Sequence, residues 1–134
     1  MRKKSKSDVA QAKELIQSQL RQIVIQRDGG CILRTENWTD EMSDLRQLIP
    51  IECSGYRNDG ELVLQADHLC SRTYSATYGE SRLVICACKG HHGWKSVLPE
   101  RKEVYDKAIK MLISPERVKL WDKAEAYRRP HRMD

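Results

Sequence analysis

The stretch from Leu64 to Lys95 constrains the fold of this 134-residue chain more than any other part of it. It contains three of the four histidines and three of the five cysteines. An Asp-His pair, Asp67 and His68, ends an apolar run, and a Cys-x-x-His-His motif begins at Cys88. A loop and a second strand fit between the two motifs. The stretch therefore predicts a small metal site built from a strand pair and the start of a helix.

A helix is expected before this stretch. Apolar residues recur every three or four positions between Ser7 and Asp28, which is the spacing of one helix face. Gly29 and Gly30 end the helix, because glycine tolerates the positive φ angles of a helix terminus. The segment 32–52 that follows is predicted to be an ordered insertion or a short helix. The residues of the first helix that recur at this spacing are Val9, Ala12, Ile16, Leu20, Ile23 and Val24.

Two strands and further helices complete the prediction, which is an α+β fold. Alternating and apolar runs indicate strands at 61–69 and 82–88. A helix should start near His91. Two more helices should open at Pro99 and Pro115, because proline suits the first turn of a helix.

Length predicts a single domain. Its expected parts are a basic tail and helix at 1–28, a metal-binding core at 29–97 and C-terminal helices at 98–134. Neither a leader peptide nor a membrane-spanning run is visible, so we expect an intracellular protein without membrane contact. In a reducing compartment its cysteines would be metal ligands or free thiols rather than disulfides, and their odd number agrees with that.

The charge balance favours a polyanionic partner. The formal net charge is +5, and Lys or Arg side chains that neutralise phosphates gain affinity by releasing counterions. Charge alone does not identify nucleic acid, since many basic proteins bind none.

The Cys-x-x-His spacing of Cys88 and His91 fits half of a tetrahedral zinc site. Cys31 and Cys53 are the expected remaining ligands, although Cys86 or Cys70 remained possible replacements from spacing alone. His91 and His92 lie about 100° apart on a helix, so they cannot easily serve one ion. The pair implies two metal sites, or one site and one bystander.

Asp67 and His68 suit a different kind of metal chemistry. A carboxylate is the natural ligand of a hard divalent cation, and a histidine that titrates near neutrality is a natural general base. The alternative interpretation is an exposed loop carboxylate beside a half-buried histidine.

Three stretches, QRDGGC at 26–31, DHLCSRTYSAT at 67–77 and CKGHHGWK at 88–95, carry a family resemblance. Together with the C-terminal helices, they resemble the HNH endonucleases, and most closely the phage-encoded recombination nucleases of the lambda Rap (NinG) kind. The resemblance covers about 20–126 of the chain.

The resemblance implies a ββα-metal centre. His68 would be the general base, and Asp67 and His92 would hold a catalytic Mg²⁺ or another divalent cation such as Mn²⁺. Ser81 or Arg82 stands where the family has an orienting asparagine, and we take Ser81 as the candidate orienting residue. The implied structural Zn²⁺ is held by Cys31, Cys53, Cys88 and His91.

The expected function is therefore metal-dependent hydrolysis of double-stranded or branched DNA, such as recombination intermediates. Arg72 and Lys95 are the expected phosphate contacts, with solvated surface charge as their alternative. The expected protein is a monomer or dimer, located in the bacterial cytoplasm if it is phage-encoded. The alternative function is a non-catalytic zinc module that binds nucleic acid through a degenerate HNH centre.

Overall fold

The structure, a computed structural model, describes residues 6–70 and 80–128. Within these ranges the chain forms α-helices and a two-stranded antiparallel sheet, which confirms the predicted α+β class. No helix in them has both the length and the apolar character that crossing a membrane requires. The elements are α1 (Lys6–Asp28), α2 (Ser43–Arg46), β1 (Leu64–His68), β2 (Val84–Cys88), α3 (Lys89–Lys95), α4 (Pro99–Leu112) and α5 (Pro115–Arg128).

The two strands are shorter than predicted at their first residues. Leu62 forms an isolated bridge with Tyr56 rather than joining β1, because the chain is still leaving the turn at Gly60. Before β2, residues 81–83 form a 3-10 turn. The Glu80 carboxylate caps this turn by accepting a hydrogen bond from the backbone N–H of Arg82. β2 then ends at Cys88 as expected, and β1 ends at His68, one residue before the predicted end.

The sheet has two chemically different faces. Leu64 pairs with Cys88 and His68 with Val84, so alternate residues of each strand share a face. Leu64 and Ala66 pack toward α1 together with Val84 and Cys86. By alternation, Gln65 and Asp67 face the opposite side, where α3 and α4 lie.

α1 ends at Asp28 as predicted and begins one residue before Ser7, but most of the apolar positions that indicated it are exposed. Leu20 and Val24 are buried against the sheet. Val9, Ile16 and Ile23 are 53%, 41% and 52% exposed, and Ala12 is exposed as well. Only the last turns of α1 reach the sheet. The helical spacing is confirmed, but four of the six apolar positions that define it lie outside the core.

The insertion 32–52 is ordered and contributes to the main core. It forms 3-10 turns at 35–37 and 40–42 and the single turn of α2. Its residues Leu33, Met42 and Ile49 are buried in a cluster that includes Tyr105 and Trp121. The insertion thus supplies core volume that a chain without phenylalanine would otherwise lack.

The QRDGGC segment fixes the start of β2. The Arg27 guanidinium donates to the carbonyls of Ser81 and Val84 at 2.7 Å and 2.6 Å. The Asp28 carboxylate accepts from the backbone N–H of Cys86 at 2.8 Å. Gly29 then adopts a φ of 72°, which turns the chain out of α1 toward Cys31.

Candidate metal centres

Four predicted ligands converge beside α3. The ligand atoms of Cys31, Cys53, Cys88 and His91 all lie within 4.8 Å of one another. The Nδ1 atom of His91 is 3.1 Å from the Cys88 sulfur and 3.6 Å from the Cys31 sulfur. A tetrahedral zinc site with bonds of about 2.0–2.3 Å separates its ligand atoms by roughly 3.5–3.8 Å. This Cys₃His cluster could hold a metal ion such as zinc.

Local structure explains the Cys-x-x-His spacing. Cys88 is both the last residue of β2 and the N-cap of α3, and its sulfur accepts from the backbone N–H of His91 at 3.3 Å. That capping contact places the His91 side chain one helical turn along, on the same side as the sulfur.

A backbone carbonyl orients His91. Its Nε2 donates to the carbonyl of Pro50, which leaves the lone pair of Nδ1 directed at the sulfur atoms. Metal-bound histidines commonly donate their second ring N–H to a carbonyl or carboxylate in this way. His91 is only 1% exposed, so its tautomer is fixed by these two contacts.

The cysteines of the cluster differ in acidity. A hydrogen bond from Cys31, assisted by His91, lowers the pKa of Cys88 to about 3. The hydrogen bond with Cys88, followed by burial, raises the pKa of Cys31 far above its usual range. Burial and the neighbouring Cys88 raise the pKa of Cys53 to about 11. Without a cation the cluster therefore favours one thiolate and two protonated thiols, and a bound divalent ion would favour loss of the other two protons.

The other two cysteines lie elsewhere. Cys86 is buried on the α1 face of the sheet, where burial raises its pKa to about 11. Cys70 is buried in the main core just after β1. The alternatives in which either of them replaces Cys88 are not supported, because the cluster is complete without them.

A second pair of predicted ligands meets on the other side of α3. The Nε2 atom of His92 is 3.5 Å from Asp67 Oδ1. The Nδ1 atom of His92 lies 2.6 Å from Gln65 Oε1, so it donates there and Nε2 carries the lone pair. Two acceptor atoms that face each other at this distance suit either a protonated imidazole or a shared cation. Adjacent ligands of an octahedral Mg²⁺ are about 3 Å apart.

Asp67 is more enclosed than expected. It is 3% exposed, and both carboxylate oxygens accept from Lys95 Nζ, at 2.7 Å and 2.6 Å. The Tyr105 hydroxyl donates to Oδ2 at 2.6 Å, and the pKa of Tyr105 is raised by its burial and by this carboxylate. The interpretation of Asp67 as an exposed loop carboxylate is therefore wrong. Lys95 has a protein partner, and its contact with phosphate stays a prediction.

The remaining predicted site residues are dispersed. His68 ends β1 and is half-buried, but strand alternation puts it on the opposite face from Asp67, so the two do not address one cleft from one face. Ser81 is half-buried at the turn before β2, where its carbonyl accepts from Arg27. Arg72 lies outside the described residues.

Sequence reasoning missed three groups at these centres. Gln65 could have been found, because it lies two residues before Asp67 and must share its strand face. The Pro50 carbonyl and the Tyr105 hydroxyl carry no local signal, since each meets its partner across about 40 residues of chain.

Comparison with known proteins adds no relative. No protein-family model, no curated protein and no solved structure matches this chain.

Proposed function

We propose that the protein is an HNH-type DNA endonuclease that uses a structural zinc ion and a catalytic divalent cation. The observation that carries the proposal is that two neighbouring histidines on α3 contact two different groups of side chains. His91 meets Cys88 at 3.1 Å, and His92 meets Asp67 at 3.5 Å on the other side of the helix. A zinc-only module has no need for the second arrangement.

In this proposal the Cys₃His cluster holds Zn²⁺ in a structural role. Its ligands come from the end of the QRDGGC turn, the end of the insertion, the end of β2 and the first turn of α3. A bound ion would join all four segments, which stabilises a domain with a small core. It would also fix the rotation of α3, and with it the position of His92.

Asp67 and His92 would hold the catalytic Mg²⁺ or Mn²⁺. When bound, the cation supplies stabilisation of the charge that develops on the phosphate and on the leaving 3′ oxygen. Gln65 fixes the His92 tautomer so that Nε2 offers its lone pair. Asp67 supplies the hard oxygen ligand that such cations prefer.

His68 would act as the general base by accepting a proton from the attacking water. Within the described residues β1 pairs only with β2, and in this proposal a phosphate group would lie along its other edge. A phosphate group lying across that edge would be approached by Asp67 from one face of the sheet and by His68 from the other. Ser81 remains the candidate for orienting His68, and the family resemblance extends the proposal to branched DNA and 5′-phosphate products.

The test is a plasmid-nicking assay on the zinc-loaded full chain with Mg²⁺ or Mn²⁺. We expect His68→Ala to reduce cleavage by about 10²- to 10⁴-fold, the usual contribution of general-base catalysis. Zinc content and DNA binding should be unchanged. His131→Ala is the matched control, since it removes a histidine that has no assigned role.

A second candidate is a zinc-containing module that binds nucleic acid without cleaving it. This candidate is favoured by the ion pair in which Lys95 already engages the Asp67 carboxylate. In the same assay this candidate predicts DNA binding with no cation-dependent nicking. Cleavage that persists in His68→Ala would remove His68 from the mechanism.

A further inference from the structure

We propose that Lys95 is the resident cation of Asp67, and that a divalent cation binds Asp67 only by displacing the Lys95 ammonium. This inference rests on the proposed function, because it concerns the same cation site. It assigns to Lys95 a positioning role that is different from a direct contact with DNA.

The ion pair is too well enclosed to be an ordinary surface contact. The ammonium lies within 2.7 Å of both carboxylate oxygens. The side chains of Lys95 and Asp67 are 10% and 3% exposed. Lys95 Nζ also lies 4.7 Å from the centre of the Tyr105 ring, whose hydroxyl donates to the same carboxylate. Asp67 is thus fully compensated before any metal ion arrives.

The position of Lys95 makes it a competitor for the cation. His92 and Lys95 are three residues apart on α3, so both side chains project toward Asp67. A divalent ion between Asp67 and His92 needs at least one carboxylate oxygen that Lys95 now engages. The two positive charges would also repel each other at such short range. Cation binding must therefore move the ammonium away.

The flexible stem of lysine makes this exchange possible. Its four-carbon chain can move the ammonium without unfolding α3, unlike a rigid ligand. The consequence is a centre that is folded and neutral without a divalent ion but binds that ion weakly. Removal of the lysine charge should strengthen cation binding at Asp67.

The test measures Mn²⁺ binding to the zinc-loaded full chain by calorimetry, without DNA. Lys95→Met should bind Mn²⁺ at least about tenfold more tightly than the wild type, because a neighbouring cation lowers the proton affinity of a carboxylate by about one to three powers of ten and should weaken its binding of another cation in the same direction. Its melting temperature should be lower than that of the wild type without Mn²⁺ and should recover when Mn²⁺ is added. Lys110→Met is the matched control, since it removes a lysine from an exposed ion pair with Asp122.

Lys95→Gln keeps the measurement valid if Lys95→Met does not fold. The amide can still donate to Asp67 but carries no charge, so tighter Mn²⁺ binding is again expected. Equal or weaker binding by the folded neutral variants would overturn the inference. The nicking assay judges the proposed function separately, because a wild type that cleaves DNA with no gain in the variants contradicts only the role of Lys95.

Discussion

The two sides of α3 hold centres of opposite character. On one side, His91 is 1% exposed and joins three cysteines that together provide a complete set of four ligands. On the other, the His92 side chain is 35% exposed and meets a single carboxylate that a lysine already engages. The first arrangement suits an ion that stays bound throughout the life of the protein. The second suits an ion that exchanges with solvent and needs further ligands from water or substrate.

The largest expected effect separates the centres by stability. Cys88→Ser should abolish zinc binding and unfold the chain, since structural zinc contributes about 10–16 kcal/mol of apparent binding free energy in small domains. Metal analysis and circular dichroism would measure this. Cys86→Ala should retain one zinc ion, because Cys86 packs against α1 and is not one of the four clustered ligands. A folded Cys88→Ser variant with stoichiometric zinc would show that the comparison is wrong.

The next effect sharpens the contrast between Cys86 and Cys88, which lie two residues apart on β2. Burial raises the pKa of Cys86 from 9.0 to about 11, so its folded thiol keeps a proton that the unfolded chain loses. Stability from this group is complete below pH 9 and is lost as pH rises toward 11, a change of about 2 to 3 kcal/mol. Urea unfolding between pH 8 and pH 11 should show a shallower decline for Cys86→Ala than for the wild type. Equal declines would contradict the assignment.

The smallest effect concerns the orientation of His92. Gln65→Leu removes the acceptor that holds Nδ1, and loss of such a partner typically weakens metal binding by about 10- to 100-fold. Mn²⁺ calorimetry should detect the change, whereas zinc content should not respond. Gln65→Glu keeps an acceptor and should retain Mn²⁺ affinity. If both variants bind Mn²⁺ like the wild type, Gln65 has no role in the centre.

The helices and the Cys88–His91 half of the Cys₃His cluster could be predicted because their signals are local. Glycines end α1 at Asp28, Pro99 and Pro115 open the last two helices, and Cys-x-x-His is itself a helix-capping arrangement. These features depend on neighbours within a few residues. Cys31 and Cys53 carry no such local signal, and they are assigned because few cysteines remain, with Cys70 and Cys86 as alternatives.

The surroundings of α1 and Asp67 could not be predicted in the same way. Periodicity identifies Ile16 and Ile23 as one face of a helix, but it does not state how far the sheet extends to cover that face. Lys95 resembles any other helix-surface lysine until the fold brings Asp67 and Tyr105 to it. Such long-range partners depend on how the helices pack.

The most direct test of the two-centre account is anomalous X-ray diffraction from crystals of the zinc-loaded protein soaked in saturating Mn²⁺. The account predicts a zinc signal among Cys31, Cys53, Cys88 and His91, and a manganese signal between Asp67 and His92. A manganese signal that is absent from that position while zinc occupies its own site would contradict the catalytic centre and leave a protein with one structural metal.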